Sequence, residues 1–191
     1  MKLLALKKHN LTFLPLKKDN WDDFERLFGE RGGCWCMSWR LNRAEFEKQK
    51  GVGNKRAMKK LVEEKEQIGI IAYLNGKPVG WCSVAPREKF IRLESSRVLK
   101  PVDDKPVWSI TCFFLAKDYR HQGLSVHILK GVMEICKKKG VKILEAYPII
   151  LYSKNMPAAF AWTGFVSSFE NAGFKVAKRW SKARPIMRYY L

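Results

Sequence analysis

The residues Arg120-His121-Gln122-Gly123-Leu124-Ser125 are of the types that bind phosphate. They stand between a buried apolar stretch and a segment with helical spacing, so they should form the turn at which a helix begins. The first N–H groups of a helix lack intrahelical partners and lie at the positive end of its dipole. Gly123 would let a diphosphate approach the backbone, and Arg120 adds a permanent positive charge. Taken alone, the hexapeptide is equally compatible with an ordinary strand-to-helix turn.

The elements on both sides of this turn are well marked. Residues 107–115 predict a strand with almost no exposed face. Residues 123–139 carry apolar residues at helical spacing, with lysines in the last turn and Gly140 just beyond it. Residues 142–147 predict the next strand. A strand, crossover helix and strand in this order imply a parallel neighbour or a splayed pair.

The segment before the turn predicts one strand, several helices and a hairpin. Residues 11–16 predict the strand, and Trp21, Phe24 and Phe28 recur at helical spacing after a cap at Asp19 or Asn20. Asn42 and Asn54 are each expected to cap a further helix. The hairpin joins residues 68–74 to residues 78–84 through Asn75-Gly76. An Arg-, Lys- and Pro-rich connection up to Pro106 is expected on the surface, with only short regular pieces.

After the strand at 142–147, the sequence predicts a short helix within residues 160–172 and an antiparallel strand pair at 174–180 and 185–191. The whole chain, residues 1–191, is long enough to bury a core as a single domain. No apolar run reaches the roughly 18 to 20 residues of a membrane helix, and no cleavable leader is visible, so we expect a cytoplasmic protein without a membrane partner.

The net charge of +19 has three readings: a nucleic-acid surface, attraction to a polyanionic cofactor, or a lysine-rich solvated surface. The lysines are spread over polar faces and helix ends, so nucleic acid is possible but not favoured. Five cysteines predict reduced core residues rather than a disulfide framework. Cys34 and Cys36 have no second Cys or His pair at ligand spacing, so no metal is expected.

The order of these elements resembles the GNAT acetyltransferase family. Residues 115–125 match its motif R/Q-x-x-G-x-G/A, with Ser125 in place of the last Gly or Ala. The segment Asn171-Ala172-Gly173-Phe174 looks like the end of that family's fourth helix. The resemblance implies an α/β (α+β) GNAT acyltransferase fold. Its mixed central sheet would have an antiparallel N-terminal meander, splayed parallel strands and helices on both faces.

The resemblance also implies a cofactor, acetyl-CoA, with CoA as the product. Backbone groups of Phe113, Phe114 and Leu115 would contact the pantetheine arm, and amides of residues 120–125 would hold the pyrophosphate. An amine would attack the thioester directly, so the enzyme must position both reactants and manage a proton. A covalent enzyme intermediate is not required.

The catalytic acid of the family is missing from this sequence. Phe169 stands where the resemblance expects Tyr, and Trp162 stands where it expects Asn. Tyr147 or Tyr152 could substitute as the acid, or the thiolate could leave with the help of solvent. Glu145 is the candidate base because strand alternation places it on the same side as Tyr147. The alternative for Glu145 is a surface glutamate.

Three tryptophans, Trp35, Trp39 and Trp108, are candidates for an acceptor pocket, with ordinary core packing as the alternative. Such a pocket would suit an apolar or cationic amine, and amino acids, polyamines, aminoglycosides and peptide amines all remain open. The leading hypothesis is transfer to a small-molecule amine by a monomer or homodimer. The alternatives are an acetyltransferase acting on a protein or tRNA, and a non-catalytic acyl-CoA sensor.

Overall fold

The computed structural model describes residues 10–29, 32–151 and 162–191. Its centre is a mixed sheet of seven strands in the order β1-β2-β3-β4-β5-β7-β6. The strands are β1 (Leu11–Pro15), β2 (Gly69–Leu74), β3 (Lys77–Pro86), β4 (Trp108–Leu115), β5 (Ile143–Ala146), β6 (Lys175–Lys178) and β7 (Ile186–Tyr190). The helices are α1 (Trp21–Phe28), α2 (Arg43–Lys48), α3 (Val52–Glu63), α4 (Ile91–Glu94), α5 (Leu124–Lys138) and α6 (Val166–Ala172).

The first four strands form an antiparallel meander. Asn75 and Gly76 both have positive φ, 51° and 77°, as the tight turn between β2 and β3 requires. β4 and β5 are then parallel, but they pair at only three positions, from Trp108 opposite Leu144 to Ile110 opposite Ala146. Beyond Ile110 the two strands diverge, and the rest of β4 presents an edge that β5 does not cover. The fold predicted from the sequence is confirmed.

Apolar side chains pack on both faces of the sheet. On one face, α5 and α6 cover a large cluster that includes Val84, Ile110 and Phe113. On the other face, one cluster lies under α1 and α3 and contains Trp35, Trp81 and Cys112, while a smaller one contains Ala85, Phe90, Leu93, Leu99, Tyr147 and Ile186. Because side chains alternate along a strand, Val84 and Ala85 pack on opposite faces of the sheet.

Two local predictions were wrong. Asn54 does not begin a helix: it lies fully buried inside α3, and its side-chain amide donates to the carbonyls of Gly33 and Phe46. The connection before Pro106 is not merely a surface segment, because Phe90, Leu93 and Leu99 are buried and build the smaller core cluster. Asn42 does cap α2, accepting a hydrogen bond from the Glu45 amide at 2.9 Å.

The helix that follows the phosphate-type turn is the longest of the described helices, and it runs along the sheet from the uncovered end of β4. Its buried stripe includes Leu124, Ile128, Val132 and Cys136, which is the spacing of one helix face. Gly131 lies against the ring of Phe13, so a larger residue there would collide with β1. None of the described helices is long and apolar enough to cross a membrane.

Candidate functional site

The turn between β4 and α5 has the geometry of an anion site. Gly123 caps α5 in the left-handed region, with φ 75°, and no atom lies within 4 Å of the position that a β-carbon would take. The side of the helix start is therefore open, while the first amides of α5 lack intrahelical acceptors. His121 also has a positive φ, 59°, and it is exposed. These features fit the diphosphate that the sequence predicts here.

Arg120 fixes the turn to the end of β4. Its Nε donates to the carbonyl of Leu115 at 2.9 Å, and its guanidinium lies 5.9 Å from the centre of the Phe114 ring. Gln122 makes a second brace, donating to the Asp118 carbonyl at 2.8 Å. The hydroxyl of Ser125, the second residue of α5, lies 3.3 Å from the Ser168 hydroxyl on α6. The charge of Arg120 is thus held beside the open helix start.

The uncovered edge of β4 carries two of the three predicted backbone positions. Phe113 and Leu115 are two residues apart, so their backbone groups point to the same edge, while those of Phe114 point toward β3. The amide of Phe113 donates to the carbonyl of Trp162 at 2.7 Å. The segment that contains Trp162 therefore lies along β4, in the space that opens where β4 and β5 diverge.

Glu145 and Tyr147 lie on the same face and form the centre of a buried polar network. Glu145 is fully buried, and both of its carboxylate oxygens are engaged. Oε1 accepts from Arg87 Nη1 at 3.1 Å and from the Tyr147 hydroxyl at 2.7 Å, and Oε2 accepts from Arg188 Nε at 2.7 Å. Arg188 also forms two hydrogen bonds with Asp103.

The Tyr147 hydroxyl has three neighbours in this network. It accepts from Arg87 Nη1 and lies within 2.7 Å of the Ser109 hydroxyl. Burial, and then the adjacent charge of Glu145, raise the pKa of Tyr147 far above its usual value. The phenol therefore stays protonated at neutral pH. Together the network ties β4, β5 and β7 to the connection before Pro106.

The three candidate pocket tryptophans do not come together. Trp35 is buried under α1, where its ring stacks on Phe28 at 5.6 Å. Trp108 packs in the cluster on the opposite face, toward α5. Trp39 packs against the smaller cluster, with its ring centre 5.8 Å from that of Trp162. The alternation of side chains along β4 explains why Trp108 is separated from the other two.

A surface pocket of about 510 Å³ adjoins Trp35. The ion pair of Glu25 and Lys55 lies at its wall, and the Lys55 ammonium is 5.3 Å from the centre of the Trp35 ring. The carboxylate and the ammonium therefore already neutralise each other at this pocket.

Several residues of the site were not singled out from the sequence. Arg87, Arg188 and Arg92 all lie on the face that carries Trp39, and the first two are buried. The burial of Arg188 could have been predicted from the sequence, because Arg188 shares a strand face with the apolar Ile186. A charged residue at such an inward position requires a partner of opposite charge. Its partner, Glu145, also stands in an apolar strand, which argues against the surface alternative.

Two expectations about individual residues bear on the chemistry. Phe169 is fully buried, with its ring 5.1 Å from Phe174 and 6.5 Å from Phe113, so it serves only to pack α6 on the sheet. All five cysteines are free, and Cys36 Sγ accepts from the Trp81 indole at 2.9 Å. Within the described part of the chain, no three His, Cys, Asp or Glu residues stand close enough to hold a metal ion.

Comparison with known proteins agrees with this fold. The model of the acetyltransferase (GNAT) family matches residues 16–165, which is most of the chain. No curated protein sequence matches the chain. The chain belongs to the GNAT family, and it is an N-acetyltransferase. The family inferred from the motif is therefore confirmed.

Solved structures share the fold at low sequence identity. An uncharacterized protein from Bacillus halodurans has a TM-score of 0.61 at 15% identity, covering 97% of this chain and 86% of its own. The PaiA N-acetyltransferase from Thermoplasma acidophilum, solved with coenzyme A, has a TM-score of 0.53 at 14% identity, covering 95% and 99%. The aminoglycoside acetyltransferase AAC(6')-Ib, also solved with coenzyme A, has a TM-score of 0.54 at 17% identity, and the match covers 95% of each chain.

Proposed function

We propose that this enzyme transfers an acetyl group from acetyl-CoA to a small-molecule amine by direct attack of the amine. The observation that carries the proposal is the open start of α5, with Gly123 and Arg120, beside the uncovered edge of β4. Phosphate-binding amides of α5 thus lie next to backbone groups of β4 that can bind the extended pantetheine arm of acetyl-CoA. The coenzyme A in the PaiA and AAC(6')-Ib structures supports the same cofactor.

The residues of the chain have separable tasks in this reaction. Amides from His121 to Ser125 would bind the pyrophosphate, and backbone groups of Phe113 and Leu115 would bind the pantetheine arm. Bound acetyl-CoA supplies an activated thioester, so no nucleophile of the enzyme is needed. The Phe113 amide donates a hydrogen bond to the Trp162 carbonyl, so a ligand that binds this amide must first displace that carbonyl.

The predicted catalytic residues, Glu145 and Tyr147, are given a positioning role in this proposal. Both carboxylate oxygens of Glu145 already accept hydrogen bonds, and Tyr147 holds its proton strongly. Their network joins β4 and β5 just where the two strands diverge, and it would set the width of the cleft. The proton of the amine would then leave through solvent rather than to a buried carboxylate.

The cofactor part of the proposal can be tested by calorimetric titration of the protein with CoA. We expect binding, and at least about tenfold weaker affinity in Arg120→Ala, because a charge and a brace of the turn are lost. Arg56→Ala is the matched control, since Arg56 is exposed on α3. Equal affinity of all three proteins would contradict the assignment of the turn.

The acceptor part requires an assay of CoA release over a panel of amines, peptides and tRNA. Turnover of a small amine supports the proposal, whereas turnover restricted to a peptide or tRNA would replace it with a macromolecular acceptor. Cofactor binding without turnover on any amine would indicate a sensor. We also propose a cytoplasmic location, which the unpaired cysteines favour, and a monomer or homodimer.

A further inference from the structure

The borders of the cleft contain very few carboxylates. No Asp or Glu stands in four described segments that border the divergence of β4 and β5 or carry Trp39 and Trp162, namely residues 32–41, 107–115, 146–151 and 162–165. Glu145 lies just before one of these segments and is paired with two arginines. Glu94 on α4 lies 3.2 Å from Arg87 Nε. A polycationic acceptor would find no unpaired carboxylate among these described residues.

The surplus charge beside Trp39 is positive. The Arg92 guanidinium lies 5.6 Å from the centre of the Trp39 ring. Its Nη1 donates to the carbonyl and hydroxyl of Ser38, and no described carboxylate forms an ion pair with it. Arg40 is 8% exposed, lies 4.4 Å from the centre of the Phe90 ring, and likewise has no described carboxylate within ion-pair distance. Such charges are weakly screened near a protein interior.

A buried donor completes this arrangement. The indole Nε1 of Trp39 is buried and has no acceptor among the described residues. A buried N–H without a partner is unfavourable, so an acceptor atom that reaches it would stabilise the site. The Trp39 carbonyl also accepts from the Arg92 amide at 3.2 Å, which fixes the indole next to the guanidinium. An N–H donor and a guanidinium on one patch match the oxygens of a carboxylate.

We propose that the acceptor is a primary amine that carries a carboxylate, as in an amino acid, and that Arg92 and Trp39 Nε1 bind this carboxylate. The proposal rests on the acetyl transfer described above and adds the class of acceptor. The Trp39 ring contacts the Trp162 ring, and the Trp162 carbonyl accepts a hydrogen bond from the Phe113 amide. The patch formed by Trp39 and Arg92 therefore adjoins the cleft. Polycations such as polyamines and aminoglycosides are disfavoured by the same charges.

The test compares amines that differ only in the carboxylate. CoA release is measured for a panel of amino acids, for their carboxamides, and for spermidine and kanamycin. The expected kcat/KM is at least about tenfold higher for the best amino acid than for its carboxamide, as a charge-assisted hydrogen bond to a guanidinium would give. Arg92→Gln should reduce this ratio to nearly one by weakening turnover of the carboxylate only.

Two further variants separate recognition from folding. Trp39→Phe keeps an aromatic ring but removes the donor, and it should lower the same ratio without changing CoA affinity. Arg56→Gln removes an exposed positive charge elsewhere and should leave the ratio unchanged. Thermal unfolding of each variant shows that the comparison is made on folded protein.

The outcomes distinguish this inference from the proposed function. Failure to bind CoA would overturn both. Normal CoA binding with faster turnover of spermidine or kanamycin than of any amino acid would overturn only the inference that the acceptor carries a carboxylate. The inference is also overturned if the carboxamides equal the amino acids, or if CoA binds and no amino acid is acetylated.

Discussion

Replacing Glu145 by Gln tests whether this residue is a catalytic base or holds the sheet together. The substitution keeps the shape of the side chain but removes its charge, and it places an NH₂ group where a carboxylate oxygen accepts hydrogen bonds. Arg87 and Arg188 would lose their common partner while remaining buried. Arg188 would keep Asp103, and Arg87 would keep the more exposed Glu94.

The expected cost follows from burial. The side chains are 1% exposed for Glu145, 3% for Arg188 and 10% for Arg87, so solvent screens the pairs little. Breaking a buried ion pair by removing one partner costs about 3–5 kcal/mol. At about 2–4 °C per kcal/mol for a chain of this size, Tm should fall by about 6–20 °C.

The assay pairs thermal unfolding with turnover measured well below Tm. Glu94→Gln is the matched control, because Glu94 also lies against Arg87 but its side chain is 55% exposed. Its Tm should change by only a few degrees, as expected of an exposed pair. For Glu145→Gln we expect a large loss of Tm, while kcat in the folded variant changes by less than about tenfold.

A general base contributes typically about 10²–10⁴-fold to the rate. An unchanged Tm together with a loss of kcat in that range would refute the positioning role and would identify Glu145 as the base.

Three other predictions concern stability and reactivity. Arg188 holds the pKa of Asp103 below its ordinary value of 3.8, so this pair stabilises the fold fully above that pH and less as pH falls through the lower folded value. Thermal unfolding of Asp103→Asn should therefore depend less on pH below 4 than that of the parent protein. Burial raises the pKa of Cys34 to about 11 and that of Cys136 to about 12, so a thiol reagent at pH 8 should react far more slowly with native than with unfolded protein, and a fast native reaction of Cys136 would contradict its burial. Asn54→Ala should lower stability by about 1–3 kcal/mol, more than Asn42→Ala, because it removes a fully buried side chain whose amide donates to the carbonyls of Gly33 and Phe46; denaturant unfolding of both variants checks the order.

Local patterns were sufficient for most of the fold. The Asn75-Gly76 turn, the apolar stripe of α5 and the alternation around Glu145 each depend on neighbours in sequence, so the hairpin, the helix and the shared face of Glu145 and Tyr147 could be predicted. Asn54 could not, because its helical position follows from contacts with Gly33 and Phe46 that a local capping rule does not include.

The candidate site was predicted less completely, for the same reason. The turn from Arg120 to Ser125 is contiguous, and its backbone geometry follows from its own residues. The acceptor side is assembled from distant segments: Trp39, Arg92 and Trp162 meet only because the sheet and its connections fold over the cleft. Types of residue alone suggested a pocket for an apolar or cationic amine, whereas the pairing of charges in three dimensions favours an amine that carries a carboxylate.

The position of β7 has a consequence for the order in which the protein is made. β7 follows β6 along the chain but lies between β5 and β6 in the sheet. During synthesis on the ribosome, one edge of β5 therefore stays unpaired until residues 186–190, which form β7, have emerged. Glu145 can meet Arg87 earlier but receives Arg188 only with β7. The buried network should thus close only when β7 pairs with β5, and until then Oε2 of Glu145 would lack its Arg188 donor.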